Sequence, residues 1–165
     1  MFIIKLLYYR YMKNILLIGC GHMGGSLMSG WSNSKNYTIS VIDKKKYAIL
    51  KKRNRNKNIK FFKSIDDINN QNNLDYIIFA TRPLELTNVF KELKDANFNK
   101  KSIAISVIAG KKTEIFKKNL LNISKITRVM PNMPALIGEG VHCIYTNKYI
   151  NKKEIKEIDK LFSLS

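Results

Sequence analysis

The 165-residue chain has few of the residues that cross-link small proteins or bind metals. Its only cysteines, Cys20 and Cys143, exclude the disulfide framework of a small secreted protein. Its only histidines, His22 and His142, are far apart in sequence and indicate no metal site. No apolar run reaches the about 18 residues that a transmembrane helix needs. We therefore expect one globular, cytoplasmic domain without a metal.

Acidic residues are also scarce, at 12 against 30 lysines and arginines, which gives a net charge of +18. Such a charge is typical of proteins that bind nucleic acid or anionic membranes. However, lysine outnumbers arginine 25 to 5 and accompanies 23 isoleucines and 18 asparagines, a bias expected of AT-rich codons. The lysines are scattered, and no RNA-binding aromatic motif or zinc knuckle accompanies them. We expect no nucleic-acid and no membrane partner; a basic nucleic-acid-binding protein is the less favoured alternative.

Short apolar segments alternate with segments of helical periodicity from Lys13 onward. The predicted strands are residues 15–19, 37–43, 59–62, 75–81, 102–110, 125–130 and 141–146. The predicted helices are residues 22–32, a lysine-rich helix ending near Asn54, a small helix capped by Ser64 and Asp67, a helix over 86–93 with Pro83 in its first turn, one from Thr113 to about Leu121, and a last helix capped by Asn151 and Glu154.

This alternation predicts a single α/β domain over residues 12–165. Apolar strands separated by helices are typical of a doubly wound, Rossmann-like, mostly parallel sheet that is covered on both faces. Residues 1–11 are apolar and basic but lack the features of a signal peptide. We interpret them as a loose N-terminal extension or a mis-assigned start, and less favourably as a membrane-associating segment.

A glycine motif, GCGHMG at residues 19–24, follows the first strand and opens the first helix. Together with Asp43 at the end of the second strand, it has the context that the dinucleotide-binding fingerprint requires. Gly19 would permit the tight turn, Gly21 would let the backbone approach a pyrophosphate, and Gly24 would let the helix pack on the strand. The N–H groups at the helix start would then hold the phosphates.

The choice between NAD and NADP stays open in the sequence. Asp43 would accept hydrogen bonds from the adenosine ribose, which favours NAD, whereas Lys44 to Lys46 would bind a 2′-phosphate, which favours NADP. Two further loops, at residues 80–83 and 109–110, leave the carboxyl ends of predicted strands. Ligands of open parallel sheets bind at that edge, so both loops would reach the nicotinamide half.

Residues 12–31, 79–83, 105–110 and 128–140 (RVMPNMPALIGEG) resemble segments of pyrroline-5-carboxylate reductases, in the same order. The resemblance covers about residues 12–165. It implies reduction of the cyclic imine 1-pyrroline-5-carboxylate to proline, a step of proline biosynthesis, with NADPH or NADH as cofactor. A protonated imine accepts hydride readily, so no catalytic acid–base pair is assigned.

The resemblance also implies which residues form the site. Ile18, Gly19, Cys20, Gly21, His22, Met23 and Gly24 would hold the pyrophosphate; Ala80, Thr81, Arg82 and Pro83 would line the cofactor cleft; Ala109, Gly110, Met130, Pro131 and Asn132 would face the nicotinamide and the substrate.

Some positions depart from the family pattern. Arg82 stands where the family more often has lysine, and His22 stands where it usually has asparagine; His22 would donate to the cofactor or cap the helix. Family members continue into a helical domain that makes the dimer and contacts the substrate, whereas this sequence stops where the nucleotide domain finishes. We therefore expect a separate helical partner chain, a decaying gene or a fragment. A non-catalytic dinucleotide-binding remnant is the alternative function.

Overall fold

The structure, a computed structural model, describes residues 12–131 and 142–164. Its strands are β1 (Lys13–Ile18), β2 (Tyr37–Ile42), β3 (Ile59–Phe62), β4 (Tyr76–Phe79), β5 (Ile103–Ser106), β6 (Lys125–Pro131) and β7 (His142–Thr146). They form one sheet in the order β3-β2-β1-β4-β5-β6-β7. All neighbours are parallel except β7, which runs antiparallel to β6. The predicted Rossmann-like fold is confirmed.

The helices are α1 (His22–Ser32), α2 (Tyr47–Arg53), α3 (Leu86–Glu92), α4 (Thr113–Asn119) and α5 (Lys152–Phe162), with a 3₁₀ turn at Gln71–Asn73. None of them, within the part of the chain that the structure describes, has the length and apolar character needed to cross a bilayer.

Two separate cores cover the faces of the sheet, because the buried strands present apolar side chains on both sides. On one face, Leu27 and Trp31 of α1 and Ile158 of α5 belong to one apolar cluster with buried side chains of β1, β2, β4 and β5. On the other face, Phe90 of α3 and Phe116 of α4 pack against Phe79 of β4. The helices of the crossovers therefore hold the carboxyl ends of β1 and β4 in fixed positions, side by side.

Three predicted features differ from the structure. The small helix at Ser64 is absent, because the Asp67 carboxylate accepts the backbone N–H groups of Lys63 and Ser64 and closes a turn instead. Pro83 precedes α3 in a turn that Glu85 N–H closes on the Arg82 carbonyl, and does not lie within the helix.

The predicted strands 75–81 and 102–110 are too long by several residues. The parallel ladder ends at the aligned residues Ile18, Phe79, Ser106 and Arg128. The chain leaves the sheet as loops after the first three, whereas β6 continues to Pro131 in its pairing with β7. The last helix begins as predicted, with a complete capping box between Asn151 and Glu154.

Trp31 joins the first and last helices of the domain. Its ring is fully buried, its Nε1 donates to the Leu161 carbonyl at 2.9 Å, and it meets the Phe162 ring edge-on at 6.0 Å. We expect Trp31→Phe to lower the free energy of unfolding by about 2–4 kcal/mol, because it removes a buried donor and leaves a cavity.

Chemical denaturation followed by circular dichroism measures this effect. Tryptophan fluorescence cannot be used, because the substitution removes the single tryptophan of the chain. Tyr149→Phe, at a ring that is 46% exposed, is the matched control, and we expect a change within about 0.5 kcal/mol. Equal stabilities of the two variants would contradict the role of Trp31.

Candidate dinucleotide site

The turn between β1 and α1 is built so tightly that two of its glycines have no room for a side chain. Gly19 has a φ of +93°, and a Cβ there would lie 2.8 Å from the carbonyl oxygen of Ala80. A Cβ on Gly24 would lie 2.1 Å from the carbonyl oxygen of Gly19. Helix α1 consequently starts directly against the turn, at the carboxyl ends of β1 and β4.

Gly21 differs from these two glycines, because a Cβ at this position would have no atom within 4 Å. It is the N-cap of α1, and no side chain accepts a hydrogen bond there. The first helical bond of the turn joins Gly25 N–H to the Gly21 carbonyl, so the N–H groups of residues 22–24 precede it. Open space thus lies beside uncapped helical donors, which is the arrangement that binds phosphate in proteins.

Hydrogen bonds fasten this turn to the loop after β2. One oxygen of Asp43 accepts the Cys20 N–H at 2.8 Å, and the other accepts the Lys46 N–H at 3.0 Å. Lys46 Nζ returns to donate to the Cys20 carbonyl at 3.0 Å. The N–H and the carbonyl of Cys20 are therefore both hydrogen-bonded to the loop after β2.

The Cys20 thiol is buried beside Met28, with the two sulfur atoms 4.0 Å apart. Burial raises the pKa of this thiol, the nearby Asp43 carboxylate raises it further, and the Lys46 charge partly opposes both. At neutral pH the thiol is therefore protonated, and Cys20 fills space rather than acting as a nucleophile.

A cavity of about 260 Å³ opens beside the glycine turn. One wall consists of Ile18, Gly19, Ile42, Asp43, Lys44 and Lys45; the other consists of Thr81, Glu85, Asn88, Val89 and Glu92. Thr81 Oγ1 is buried and has no hydrogen-bond partner within the described residues. The cavity lies at the point where the strand order reverses, between the carboxyl ends of β1 and β4, which is where open α/β sheets bind ligands.

A larger cavity, of about 440 Å³, lies between the C-terminal ends of α3 and α4. Those helix ends lie at the amino edge of the parallel sheet, away from the glycine turn. Volume alone therefore does not identify the site, and the smaller cavity is the candidate.

Two ion pairs join the walls of the smaller cavity. Lys44 Nζ lies 2.7 Å from Glu92 Oε1, and Lys45 Nζ lies 2.7 Å from Glu85 Oε1. The hydrogen bond from Lys45 is the main cause that lowers the pKa of Glu85. Three residues of the second wall were not predicted from the sequence, although their spacing of three and four residues places them along one stripe near α3: Glu85, Asn88 and Glu92.

The structure brings six of the predicted residues together around the cavity: Ile18, Gly19, Asp43, Lys44, Lys45 and Thr81. The other predicted residues that the structure describes lie along the same edge of the sheet. Arg82 and Pro83 are exposed after β4, Ala109 and Gly110 are exposed after β5, and Met130 and Pro131 end β6. Asn132 lies outside the described residues.

His22 is the first residue of α1 and is exposed. The interpretation that it caps the helix is wrong, because Gly21 occupies the cap position without any side-chain bond. Within residues 12–131 and 142–164, no three His, Cys, Asp or Glu residues lie close enough to hold a metal ion.

The family model described as NADP oxidoreductase coenzyme F420-dependent matches residues 14–110, more than half of the chain. The chain belongs to this family. The resemblance noted in the sequence is confirmed as well, because the curated relatives are named pyrroline-5-carboxylate reductases.

The relative from Haemophilus influenzae is 30% identical over 142 residues, which are 82% of this chain and 49% of the relative. The relative from Aquifex aeolicus is 34% identical over 89 residues, which are 54% of this chain and 32% of the relative. The chain thus spans about half of the length of the first relative and about a third of the length of the second.

Solved structures show the same fold. A Plasmodium falciparum pyrroline carboxylate reductase with NADP bound has a TM-score of 0.71 at 22% identity, over 93% of this chain and 55% of that chain. The Coxiella burnetii reductase has a TM-score of 0.76 at 23% identity, over 93% and 56%. A prephenate dehydrogenase from Aquifex aeolicus reaches 0.72 at 16% identity, over 93% and 58%, so the shared fold by itself does not select a reaction.

Proposed function

We propose that this chain binds NADPH or NADH and supplies the cofactor side of a reductase that converts 1-pyrroline-5-carboxylate to proline. The observation that carries the proposal is the open space at Gly21 beside the uncapped start of α1. The names of the relatives support the substrate, and the NADP bound to the Plasmodium protein supports the cofactor class.

The residues present fit a dinucleotide. Backbone N–H groups at the start of α1 would hold the pyrophosphate, because the positive end of the helix dipole lies there. Asp43 still has lone pairs for ribose hydroxyls, since each of its oxygens accepts one backbone N–H. The unpartnered Thr81 hydroxyl lies beside the cavity and would gain a partner from a ligand.

The chemistry requires little from the side chains of the domain. The reduced nicotinamide supplies a hydride when it is bound. The loop after β5 and the end of β6, at Met130 and Pro131, would exclude water and align the imine carbon without providing an acid or a base. Gly110, with a φ of +71°, shapes the loop after β5.

Titration of the purified chain with NADPH and NADH tests the binding step, with nucleotide fluorescence as the measurement. We expect saturable binding of at least one of the two. Absence of binding to both would overturn the proposal.

Turnover is a separate step of the same test. Proline formation from 1-pyrroline-5-carboxylate is measured with the chain alone, and again with the non-aligned part of the Haemophilus influenzae relative added as a second chain. Proline formation in either mixture supports the reductase. If the chain binds the dinucleotide but neither mixture forms proline, the reduction of 1-pyrroline-5-carboxylate is excluded and the chain is a dinucleotide-binding protein.

A further inference from the structure

The cavity beside the glycine turn is unusual in this chain because acidic residues outnumber basic ones around it. The whole chain carries +18, but the cavity is lined by three carboxylates, Asp43, Glu85 and Glu92, and by two lysines, Lys44 and Lys45. A quarter of the 12 acidic residues of the chain therefore lie at one small cavity. The excess of positive charge in the chain as a whole is therefore absent around this cavity.

The two lysines are already engaged. Lys44 and Lys45 follow Asp43, where a 2′-phosphate on the adenosine ribose would lie. Each of them contacts a carboxylate from the opposite wall at 2.7 Å, Lys44 on Glu92 and Lys45 on Glu85. A 2′-phosphate that contacts either ammonium group must compete with its carboxylate partner, and it would also meet two negative charges nearby.

The exchange is feasible because the pairs are exposed. Side-chain exposure is 58% for Lys44 and 38% for Glu92, and 77% for Lys45 and 39% for Glu85. Exposed pairs of this kind are weak, so a phosphate with more charge can displace them. The carboxylates would therefore reduce the affinity for the phosphate without abolishing it, and would leave the affinity for a ribose with a free 2′-hydroxyl almost unaffected.

We propose that Glu85 and Glu92 are specificity-determining residues, which lower the preference for NADPH over NADH by occupying Lys44 and Lys45. This inference rests on the proposed function, because it needs a dinucleotide in the cavity. The two lysines alone would indicate a preference for NADPH, whereas the carboxylates of Glu85 and Glu92 oppose that preference.

The test compares wild type with Glu85→Gln, Glu92→Gln and the double variant. Each is titrated with NADPH and NADH, and with the fragments adenosine 2′,5′-bisphosphate and AMP, which differ only in the 2′-phosphate. We expect the dissociation constants of the two 2′-phosphorylated ligands to fall by about threefold to tenfold in the double variant. Those of NADH and AMP should stay within about twofold.

Asp95→Asn is the matched control for the single variants, because it removes one carboxylate charge at an exposed residue beyond the C-terminal end of α3. It should leave the ratio of NADPH to NADH affinity as in wild type. Lys44→Gln should raise the dissociation constant of NADPH by a larger factor than that of NADH, as expected if this lysine contacts the 2′-phosphate.

An unchanged NADPH to NADH ratio in the double variant would overturn the inference, and so would an equal shift in Asp95→Asn. In both cases the proposed function stands, because wild type binds the dinucleotides. If wild type binds neither dinucleotide, the proposed function itself fails and this inference fails with it.

Discussion

Gly24→Ala is expected to lower the free energy of unfolding by about 2–4 kcal/mol, through collision with the backbone. The new Cβ would lie 2.1 Å from the Gly19 carbonyl oxygen and 3.3 Å from the Ala80 Cβ. Neither the turn nor the neighbouring strand end can move without breaking strand hydrogen bonds. Thermal or chemical denaturation followed by circular dichroism measures the loss.

Gly25→Ala is the control, because it makes the same substitution one residue later in the same helix. A Cβ at Gly25 meets nothing within 4 Å. Alanine is the better helix former, so we expect a gain of up to about 1 kcal/mol. Similar stabilities of the two variants would show that the close contact of α1 with the glycine turn is absent in solution.

Gly21→Ala is expected to spare the fold and impair dinucleotide binding. Gly21 has a φ of −72°, which alanine adopts freely, and there is open space around its Cβ position. Loss of an N-cap glycine should cost less than about 1 kcal/mol of stability. The methyl group would fill the space where a pyrophosphate approaches, so we expect the dissociation constant to rise at least about tenfold.

Nucleotide fluorescence measures the affinity of Gly21→Ala, and circular dichroism measures its stability. The comparison with Gly24→Ala is informative, since Gly24→Ala should lose stability and Gly21→Ala should lose affinity for the dinucleotide. A Gly21→Ala protein that binds NADPH and NADH like wild type would place the pyrophosphate elsewhere.

Local patterns in the sequence predicted most of the fold, because they arise from neighbouring residues. The apolar strand before Gly19 and the spacing of Leu27 and Trp31 predict β1 and α1 correctly. The capping box of Asn151 and Glu154 predicts the start of α5. The helix predicted at Ser64 shows the limit of such patterns, since the Asp67 carboxylate accepts backbone N–H groups of a turn and no helix forms.

The walls of the cavity were less accessible to sequence reasoning. Lys44 and Glu92 are 48 residues apart in the chain, and Lys45 and Glu85 are 40 apart. Only the order of the strands, with β1 between β2 and β4, brings these residues to one place. The glycine motif predicted the first wall, whereas the second depends on the tertiary arrangement of α3.

The hydrogen bonds on both sides of Cys20 also join the two loops at this end of the sheet. Asp43 accepts the Cys20 N–H and Lys46 donates to the Cys20 carbonyl, so the turn after β1 is fastened to the loop after β2. When a dinucleotide binds as proposed, ordering of one loop should lower the entropy that the other loses. We therefore expect that the binding free energies of separate ligand fragments do not simply add.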